Sequence, residues 1–350
     1  MQKYYTRACN FYFGKISKEK IKKKLSLPIG ENASISFDSI EIISRTSTKI
    51  INIKKINQLK PEIKKKVLID IKNICKNKKI PNLRFQDFPI LMGVLNVTPN
   101  SFSDGGKFNR TKLAKKQIKK LKEDGANIID VGGESTRPGS KDVPQLIEWN
   151  RIKDSIKYLK TKKLFVSLDS RKSYVMKKAF NLKLDLINDV SGLSYDKDTI
   201  NFLKKTKLPF VLHHMKGTPK NMQINPTYKN VLLEIYDYFE EKLNQIRKKG
   251  IKHNHIILDP GIGFGKNLKH NITLINNISI FHSLGLPIML GLSRKKFIKE
   301  LSEQNDSKER IGGTISSCIY SMLQGVQILR VHDVNEVNQG IKIFKKINHN

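Results

Sequence analysis

The sequence predicts an α/β protein: a (β/α)8 barrel, also called a TIM barrel, preceded by a small α+β N-terminal domain. From Pro89 onward, short apolar segments alternate with amphipathic helical segments. Eight strand and helix pairs fit within the 261 residues from 88 to 348, close to the roughly 250 residues of a typical barrel of this kind. The predicted division is residues 1–85 for the small N-terminal domain, whose role is unknown, and residues 86–350 for the barrel.

The predicted barrel strands are short and rich in Val, Ile and Leu, as expected for parallel strands covered on both faces. They span residues 90–95, 128–131, 164–168, 184–188, 210–212, 256–258, 288–290 and 328–331. Amphipathic helices are predicted between them, for example over residues 112–123, 231–249 and 311–324. A doubly wound sheet is the alternative, but that architecture usually has fewer strands.

Residues 1–85 follow a different pattern. Residues 33–45 partly alternate apolar with polar side chains and predict one or two strands, and residues 48–56 predict another. Residues 59–77 predict a helix with Pro61 at its start. This region contains no His, no paired carboxylates at helical spacing and no glycine-rich loop. It is either a regulatory or interface module or an accessory domain packed on the barrel, and we favour the second interpretation.

The chain is strongly basic, with 66 Lys and Arg against 31 Asp and Glu, for a net charge of +35. This charge brings a nucleic-acid or membrane-surface role into consideration. Only 11 of the basic residues are Arg, and the lysines are spread evenly along the chain. That distribution favours solvated surfaces, so we predict neither a nucleic-acid nor a membrane partner. The charge excess can still steer an anionic small substrate toward the protein.

The three cysteines, Cys9, Cys75 and Cys318, are far apart and form neither a disulfide framework nor a CxxC metal motif. Free thiols in a reducing compartment are the simpler interpretation. The first twenty residues lack the apolar core of a signal peptide, and no apolar run approaches the roughly 18 residues of a membrane span. We therefore expect a soluble cytoplasmic protein.

Polar residues stand at the same end of every predicted barrel strand. They are Asn96, the loop 132–137, Asp169, Asn188 with Asp189, His213, Asp259, the loop 291–295, and Arg330 with His332. Because the loops that follow barrel strands form the active site of this fold, the pattern predicts catalytic chemistry there. Surface solvation does not explain eight coincident positions.

Five of these loops carry motifs that resemble, in order, those of the dihydropteroate synthase family. They are LMGVLNVTPNSFSDGG (91–106), DVGGESTRPGS (130–140), LDPGIGFGKN (258–267), GLSRKKF (291–297) and RVHDV (330–334). The resemblance covers about residues 89–345 and leaves out residues 1–85. It implies a transferase of folate biosynthesis that joins 6-hydroxymethyl-7,8-dihydropterin diphosphate to 4-aminobenzoate, releases diphosphate and uses Mg2+. It also implies a homodimer and a sulfonamide target, although the sensitivity of this chain to sulfonamides is left open.

The resemblance assigns a role to each strand-end residue. Asp259 suits the amino and ring N–H groups of a pterin, since a carboxylate binds paired donors strongly. The other expected pterin contacts are Asp169, Asn188, Met215, Lys295 and Arg330. The expected diphosphate contacts are Asn96, Thr136, Arg137, Arg330 and His332. The expected 4-aminobenzoate contacts are Phe102, Thr136, Pro138, Phe264, Lys295 and Lys296.

Three residues are expected to be catalytic: Asp104, Lys295 and Arg330. Asp104 would bring a carboxylate toward the cation that diphosphate loss creates. Asn96 is the expected Mg2+ ligand, with the metal arriving on the substrate because one neutral amide is a poor site alone. Asp130 is interpreted as an orienting carboxylate beneath the loop that follows its strand. The role of Asp189 is left open between a strand cap and a site residue.

Two departures from the family pattern stand out: Asn100 replaces a usual Asp, and Ser170 replaces a common Thr. The segment GIGFGK (261–266) does not have the glycine spacing of a dinucleotide or P-loop motif. Three alternatives to the synthase remain: a methyltetrahydrofolate–corrinoid methyltransferase barrel, a basic nucleic-acid-binding protein, and an inactive relative. The histidines His213, His214, His253 and His255 are interpreted as non-ligands.

Overall fold

The computed structural model describes residues 2–83, 85, 88–98, 107–135 and 139–348, with residues 107–110 described only as helical backbone. The N-terminal part contains strands β1 (Tyr5–Phe13), β2 (Leu27–Ile29), β3 (Asn32–Ile43) and β4 (Thr48–Asn52). It also contains helices α1 (Gly14–Lys22) and α2 (Pro61–Cys75) and a 3-10 helix (Ile53–Gln58). The long strand β3 pairs antiparallel with the other three strands.

The N-terminal predictions are partly wrong. Strand β4 ends at Asn52, because the Asn52 side chain accepts a hydrogen bond of 3.1 Å from the Lys54 amide and starts the 3-10 helix. Helix α2 begins at Pro61, whose missing N–H is tolerated at the first helical position. Strands β1 and β2 and helix α1 were not predicted. In β1 the burial does not alternate regularly, so its sequence lacks the period-two pattern of a half-buried strand.

The remaining described residues form a parallel eight-stranded barrel, which confirms the predicted fold. Its strands are β5 (Ile90–Asn96), β6 (Ile128–Gly132), β7 (Phe165–Asp169), β8 (Leu186–Asp189), β9 (Phe210–His213), β10 (Ile256–Asp259), β11 (Met289–Gly291) and β12 (Ile328–Val331). Neighbours in sequence pair in order from β5 to β10, and β12 pairs with both β5 and β11. A parallel bridge between Leu258 and Ile288 closes the ring. Each strand lies within two residues of its predicted bounds.

The barrel helices lie between successive strands and after β12. They are α3 (Lys107–Glu123), α4 (Gln145–Thr161), α5 (Ser173–Phe180), α6 (Thr199–Thr206), α7 (Val231–Lys248), α8 (Leu268–Asn276), α9 (Lys296–Ser302), α10 (Ile311–Met322) and α11 (Val334–Ile347). Short 3-10 helices span His253–His255, Ile278–Leu284 and Lys308–Arg310. Helix α3 starts five residues before the predicted 112, and the prediction for α10 extended two residues too far. No helix in the described ranges is long and apolar enough to span a membrane.

The inside of the barrel is apolar at its amino end and polar at its carboxyl end. The lower layer is formed by Ile90, Met92, Ile128, Leu186, Val211, Ile257, Met289 and Ile328. Ile80 and Leu83, from the segment that links the two parts of the chain, pack against this layer from below. Because side chains of a strand alternate between its faces, the inward positions farther along each strand belong to the polar site layer.

The N-terminal sheet packs against α7 and the 3-10 helix at Ile278–Leu284. Asp237 on α7 is the hub of this contact: it accepts hydrogen bonds from Lys3 at 2.6 Å, Tyr5 at 2.9 Å and Arg45 at 2.7 Å. The Tyr5 ring is fully buried and meets the Tyr236 ring edge-on at 5.1 Å. The N-terminal sheet is therefore packed on the barrel, and the choice between an accessory domain and a regulatory module stays a prediction.

Candidate active site

Strand register brings the predicted site residues into one layer at the carboxyl end of the barrel. Asn96 is paired with Gly132, Gly132 with Asp169, and Asp169 with Asn188. On the other side of the ring Asp259 is paired with His213, and Gly291 with Arg330. These residues surround one opening because parallel strands end at the same rim.

Arg330 stands at the centre of one half of this layer. Its Nε donates to Asp130 Oδ2 and its Nη2 to Asp169 Oδ2, both at 2.7 Å. Asn188 also donates to Asp130 Oδ2, at 2.9 Å. Asp130 is completely buried and is therefore an orienting carboxylate, with Arg330 and Asn188 as its partners. A guanidinium held by two carboxylates has a fixed plane, which suits a flat or anionic ligand.

Three oxygens in this half of the site are buried without a hydrogen-bond partner among the described residues. They are Asp130 Oδ1, Asp169 Oδ1 and Asn188 Oδ1. Burial raises the pKa of Asp169 to about 7, against the opposing effect of Arg330. Buried acceptors without partners are unfavourable in a folded protein and require an explanation. A ligand with several N–H donors on one edge would supply the missing partners.

The other half of the site combines Asp259, Lys295 and Phe264. Asp259 Oδ1 accepts the Gly261 amide at 2.8 Å, and burial raises the pKa of this carboxyl to about 6. Burial lowers the pKa of Lys295 to about 8, while Asp259 acts in the opposite direction. The Lys295 ammonium lies 4.3 Å from the centre of the Phe264 ring, whose edge-on neighbour at 4.6 Å is His213. The half-buried Phe264 ring and the cation above it form a wall suited to an aromatic anion.

His332 and Arg294 lie beside this layer but are tied to the protein. The His332 ring is 3.2 Å from Ser293 Oγ, and burial together with Arg330 lowers its pKa to about 3. His332 is therefore neutral at physiological pH and can offer a phosphate a hydrogen bond but no charge. Arg294 pairs through two nitrogens with Asp333, and this contact occupies its guanidinium.

The other predicted residues differ in how far they reach the site. Asn96 is half-buried at the end of β5, and a Cβ on Gly132 would lie 3.5 Å from both Asn96 Oδ1 and Asp169 Oδ2. Met215 is half-buried in the loop after β9. The Lys296 side chain is 73% exposed at the start of α9, where it pairs with Glu300 at 3.1 Å. Six predicted residues or departures, Asn100, Phe102, Asp104, Thr136, Arg137 and Pro138, lie outside the described residues.

A buried ion network holds the base of the loop that follows β6, and sequence reasoning missed it. Glu134 Oε2 accepts Lys172 at 2.8 Å and Arg171 at 3.3 Å, and its Oε1 accepts the Val143 amide at 2.7 Å. Lys172 also donates to the fully buried Glu148, at 2.6 Å. Burial alone favours the neutral acid, but these hydrogen bonds lower the pKa of Glu134. The two ends of the segment that contains residues 136–138 are thus fixed to the residues following Asp169.

The available signal for this network was the position of Arg171 and Lys172 directly after a strand-end Asp and Ser. Pattern reasoning treats such basic residues as solvated, because nothing local shows the carboxylates of another loop. Lys266 was also missed: the segment 261–266 was judged only as a phosphate loop. In the structure Lys266 is buried, with 2% of its surface exposed, beneath Phe264.

Among the described residues, no group of three or more His, Cys, Asp or Glu side chains is arranged to hold a metal ion. At the predicted metal position, Asn96 would contribute its amide oxygen. A hard oxygen ligand of this kind fits Mg2+, which keeps several waters and is commonly shared with substrate phosphates. The donor set therefore fits an ion that is held jointly with a phosphorylated ligand.

Comparisons with known proteins agree with this geometry. A family model described as "Pterin binding enzyme" matches residues 92–332. The dihydropteroate synthase of Haemophilus influenzae is 37% identical over 258 residues, which cover 73% of this chain and 93% of that protein.

Two solved structures give the same picture. The Yersinia pestis dihydropteroate synthase with a sulfonamide drug complex superposes with a TM-score of 0.72 at 36% identity, covering 77% of this chain and 97% of that one. The Xanthomonas albilineans enzyme with 4-aminobenzoic acid gives 0.70 at 33% identity, covering 75% of this chain and 93% of that one. The N-terminal region accounts for most of the uncovered length. The chain therefore belongs to the pterin-binding enzyme family and, within it, to the dihydropteroate synthases.

Proposed function

We propose that the chain condenses 6-hydroxymethyl-7,8-dihydropterin diphosphate with 4-aminobenzoate to form 7,8-dihydropteroate and diphosphate. The observation that carries this proposal is the set of buried acceptor oxygens on Asp169, Asn188 and Asp130. They lie in the same strand-end layer as Asp259 and two basic residues, Lys295 and Arg330. A pterin presents several N–H donors along one edge and a carbonyl beside them, which matches acceptors next to cations.

The reaction breaks the bond between the pterin methylene carbon and the diphosphate oxygen, and the electron pair leaves with diphosphate. The arylamine nitrogen then forms a bond to this carbon and loses a proton. Arg330, held by Asp130 and Asp169 at 2.7 Å each, can stabilise the leaving charge without reorganising. Asp259 and Asp169 orient the pterin, and Phe264 with Lys295 lines the approach of the aminobenzoate.

The remaining predicted contacts complete the proposal. Thr136, Arg137 and His332, with Asn96, are proposed for the diphosphate. Phe102, Pro138 and Lys296 are proposed for the aminobenzoate, Met215 for the pterin, and Asp104 for stabilising the cation. Lys296 needs to exchange its contact with Glu300 for the carboxylate of the aminobenzoate. An exposed pair of this kind contributes only about 0.2–1 kcal/mol, so the exchange is inexpensive.

We also propose that Mg2+ binds together with the diphosphate and that Asn96 supplies its protein oxygen. When bound, the ion neutralises part of the charge on the departing diphosphate. Arg330 adds a positive charge to the same strand-end layer, and its hydrogen bonds to Asp130 and Asp169 keep it fixed there.

Three broader features belong to the same proposal. We propose a cytoplasmic location and a homodimer, as expected for this family, with no nucleic-acid partner. Sulfonamide sensitivity is proposed because the superposed Yersinia pestis structure carries a sulfonamide drug complex. The wall of Phe264 and Lys295, with the ammonium 4.3 Å from the ring centre, would contact such an aminobenzoate analogue.

The direct test is turnover by the purified chain with pterin diphosphate, 4-aminobenzoate and Mg2+, followed by the appearance of dihydropteroate. We expect turnover that requires both substrates and falls when the metal is chelated. A folded protein that forms no dihydropteroate under these conditions would contradict the proposal. Methyl transfer from methyltetrahydrofolate to a corrinoid, measured in the same preparation, separates the other pterin-binding chemistry.

A further inference from the structure

Lys266 is a buried lysine in the segment 261–266, and the proposed reaction gives it no role. Its Nζ lies 2.8 Å from Phe264 O, 3.0 Å from His214 Nδ1 and 3.5 Å from His214 O. Among the residues that the structure describes, no carboxylate makes a salt bridge with this ammonium; Asp259 acts on it only at longer range. Burial lowers the pKa of Lys266 well below its ordinary value. A buried lysine amine without a paired anion is costly in either protonation state, so its retention calls for a functional reason.

The glycines of the same segment explain how closely the turn lies on the loop after β9. Gly261 and Gly265 both have positive φ, of 70° and 61°. A Cβ on Gly261 would collide with the carbonyl oxygen of His214, and a Cβ on Gly265 with that of Lys216. The pattern that failed as a phosphate loop is therefore a close backbone-to-backbone contact between two active-site loops. Lys266 joins these loops, because its acceptors lie on both.

The turn that Lys266 holds contains Phe264, whose ring forms part of the wall of the site. Lys266 donates a hydrogen bond to the backbone carbonyl of Phe264. The centre of the Phe264 ring lies 4.3 Å from the Lys295 nitrogen and 4.6 Å from the centre of the His213 ring. The positive charge of Lys266 also lowers the pKa of Asp259, opposing part of the rise caused by burial. Lys266 binds the Phe264 carbonyl directly, whereas the Gly261 amide that binds Asp259 lies at the other end of the turn. Loss of the Lys266 hydrogen bonds should therefore displace the aromatic wall more than the pterin carboxylate.

We propose that Lys266 is a positioning residue that fastens the 261–266 turn to the loop after β9 and thereby places Phe264 beneath Lys295 for the aminobenzoate. The inference rests on the proposed function. It assigns to Lys266 no contact with either substrate. Its effect is transmitted through the backbone of Phe264.

The test is Lys266→Met, which keeps the length and apolar stem of the side chain and removes the hydrogen-bond donors. The KM for 4-aminobenzoate should rise about tenfold or more, since small misplacements at a reacting site cost up to about a hundredfold. The dissociation constant of the pterin diphosphate should change much less. The melting temperature should stay constant or rise, because an unpaired buried charge has been removed. A merely structural lysine would lower the melting temperature on replacement and leave the ratio of the two substrate constants unaltered.

Lys78 provides a matched control, as it is also buried, with 4% exposure, and donates to the Asn73 carbonyl far from the site. Lys78→Met should change only the melting temperature. A double-mutant cycle with Phe264→Leu tests whether Phe264 transmits the effect. The rise in KM for 4-aminobenzoate caused by Lys266→Met should largely vanish when Phe264 is already replaced. Full additivity, or an unchanged KM for 4-aminobenzoate in Lys266→Met, overturns the proposal.

Lys266→Gln, which keeps a donor for Phe264 O, should give an intermediate KM for 4-aminobenzoate. If neither Lys266 variant folds, the residue serves folding and the proposal is wrong. Wild-type turnover is measured in the same experiment, so an inactive wild type contradicts the proposed function itself rather than the role of Lys266.

Discussion

At the carboxyl end of the barrel, Asp130 and Asp169 each bind Arg330 through one oxygen and keep the other buried without a partner among the described residues. On α7, by contrast, Asp237 has both oxygens bound, by Lys3, Tyr5 and Arg45. Both clusters pair acidic with basic side chains. In the first, one oxygen of each carboxylate lacks a hydrogen-bond partner among the described residues, whereas in the second both oxygens are hydrogen-bonded within the chain. The first arrangement costs stability and offers acceptors to a ligand, while the second joins two parts of the protein.

This contrast predicts opposite responses to substitution. In the site layer, removing Asp259 or Lys295, which make no salt bridge with each other among the described residues, should reduce activity far more than stability. At the contact of Asp237 with Lys3, Tyr5 and Arg45, called the docking contact below, removing a charged group should reduce stability with little loss of activity.

The largest effect is expected for Asp259→Ala and Lys295→Ala. Each removes a buried charged partner of the substrate, a loss of about 3–5 kcal/mol, which corresponds to about a hundredfold to several-thousandfold in kcat/KM. Steady-state kinetics on folded protein, verified by circular dichroism, measures it. Asp70→Asn is the control, as this buried carboxylate on α2 binds Lys66 through both oxygens, at 2.6 and 2.7 Å, away from the site layer. Unchanged rates in both alanine variants would disprove the site assignment.

A second prediction concerns pH. Asp259 and Asp169 have their full acceptor capacity for pterin donors when they are ionised, and burial raises their pKa values to about 6 and about 7. Lys295 acts as a cation, and burial lowers its pKa to about 8. Activity should therefore rise through pH 6–7 as the carboxyls lose protons and fall above about pH 8 as Lys295 loses its own. The pH profile of kcat/KM reports these groups in the free enzyme.

Lys295→Arg is the diagnostic variant for the alkaline limb. Arginine stays protonated throughout this range, so the decline above about pH 8 should disappear even if the maximal rate falls. A decline that persists in Lys295→Arg would assign the alkaline limb to another group.

The fold could be predicted largely from the sequence because each barrel strand is covered on both faces and is therefore a compact apolar run. The strand-end residues Asp169, Asn188, Asp259 and Arg330 followed from the same pattern, since parallel strands end at one rim. These predictions required no knowledge of which strands are neighbours. Within residues 1–85, β1 escaped prediction because its burial does not alternate regularly along the strand, which leaves no regular period.

The parts of the site that escaped prediction depend on contacts between loops. Nothing near Arg171 and Lys172 in sequence indicates that Glu134 and Glu148 will meet them in the interior. Lys266 is flanked by glycines and polar residues and has no local sign of burial. Its 2% exposure arises from the loop after β9 lying over it. Such contacts are set by the three-dimensional arrangement of the loops and not by local pattern.

A smaller effect is expected for Glu134→Gln. The variant keeps the shape of the side chain but leaves Lys172 with Glu148 as its single anionic partner, so the base of the loop after β6 is held less firmly. We expect the KM for 4-aminobenzoate or the KM for the pterin diphosphate to rise about tenfold, a loss of about 1–2 kcal/mol for a charged hydrogen bond. Asp185→Asn is a matched control, since Asp185 pairs with Lys160 at 2.7 Å away from the site layer. Equal kinetic effects of the two variants would count against a loop-holding role.

The smallest kinetic effect is expected at the docking contact. Asp237→Asn removes the charge shared by Lys3, Tyr5 and Arg45, in a position where the Asp237 side chain is 29% exposed. A loss of about 1–2 kcal/mol is expected for hydrogen bonds to a charged group, and with it a fall in melting temperature of a few degrees, at about 2–4 °C per kcal/mol. Calorimetry measures this fall, and Asp198→Asn, whose pair with Lys177 at 3.9 Å is exposed on both sides, should show almost none. The value of kcat/KM should stay within about twofold of wild type, because surface changes remote from a site act independently of it. A tenfold loss of activity in Asp237→Asn would show that the N-terminal sheet influences the barrel's chemistry, and the contrast between the two clusters would then fail.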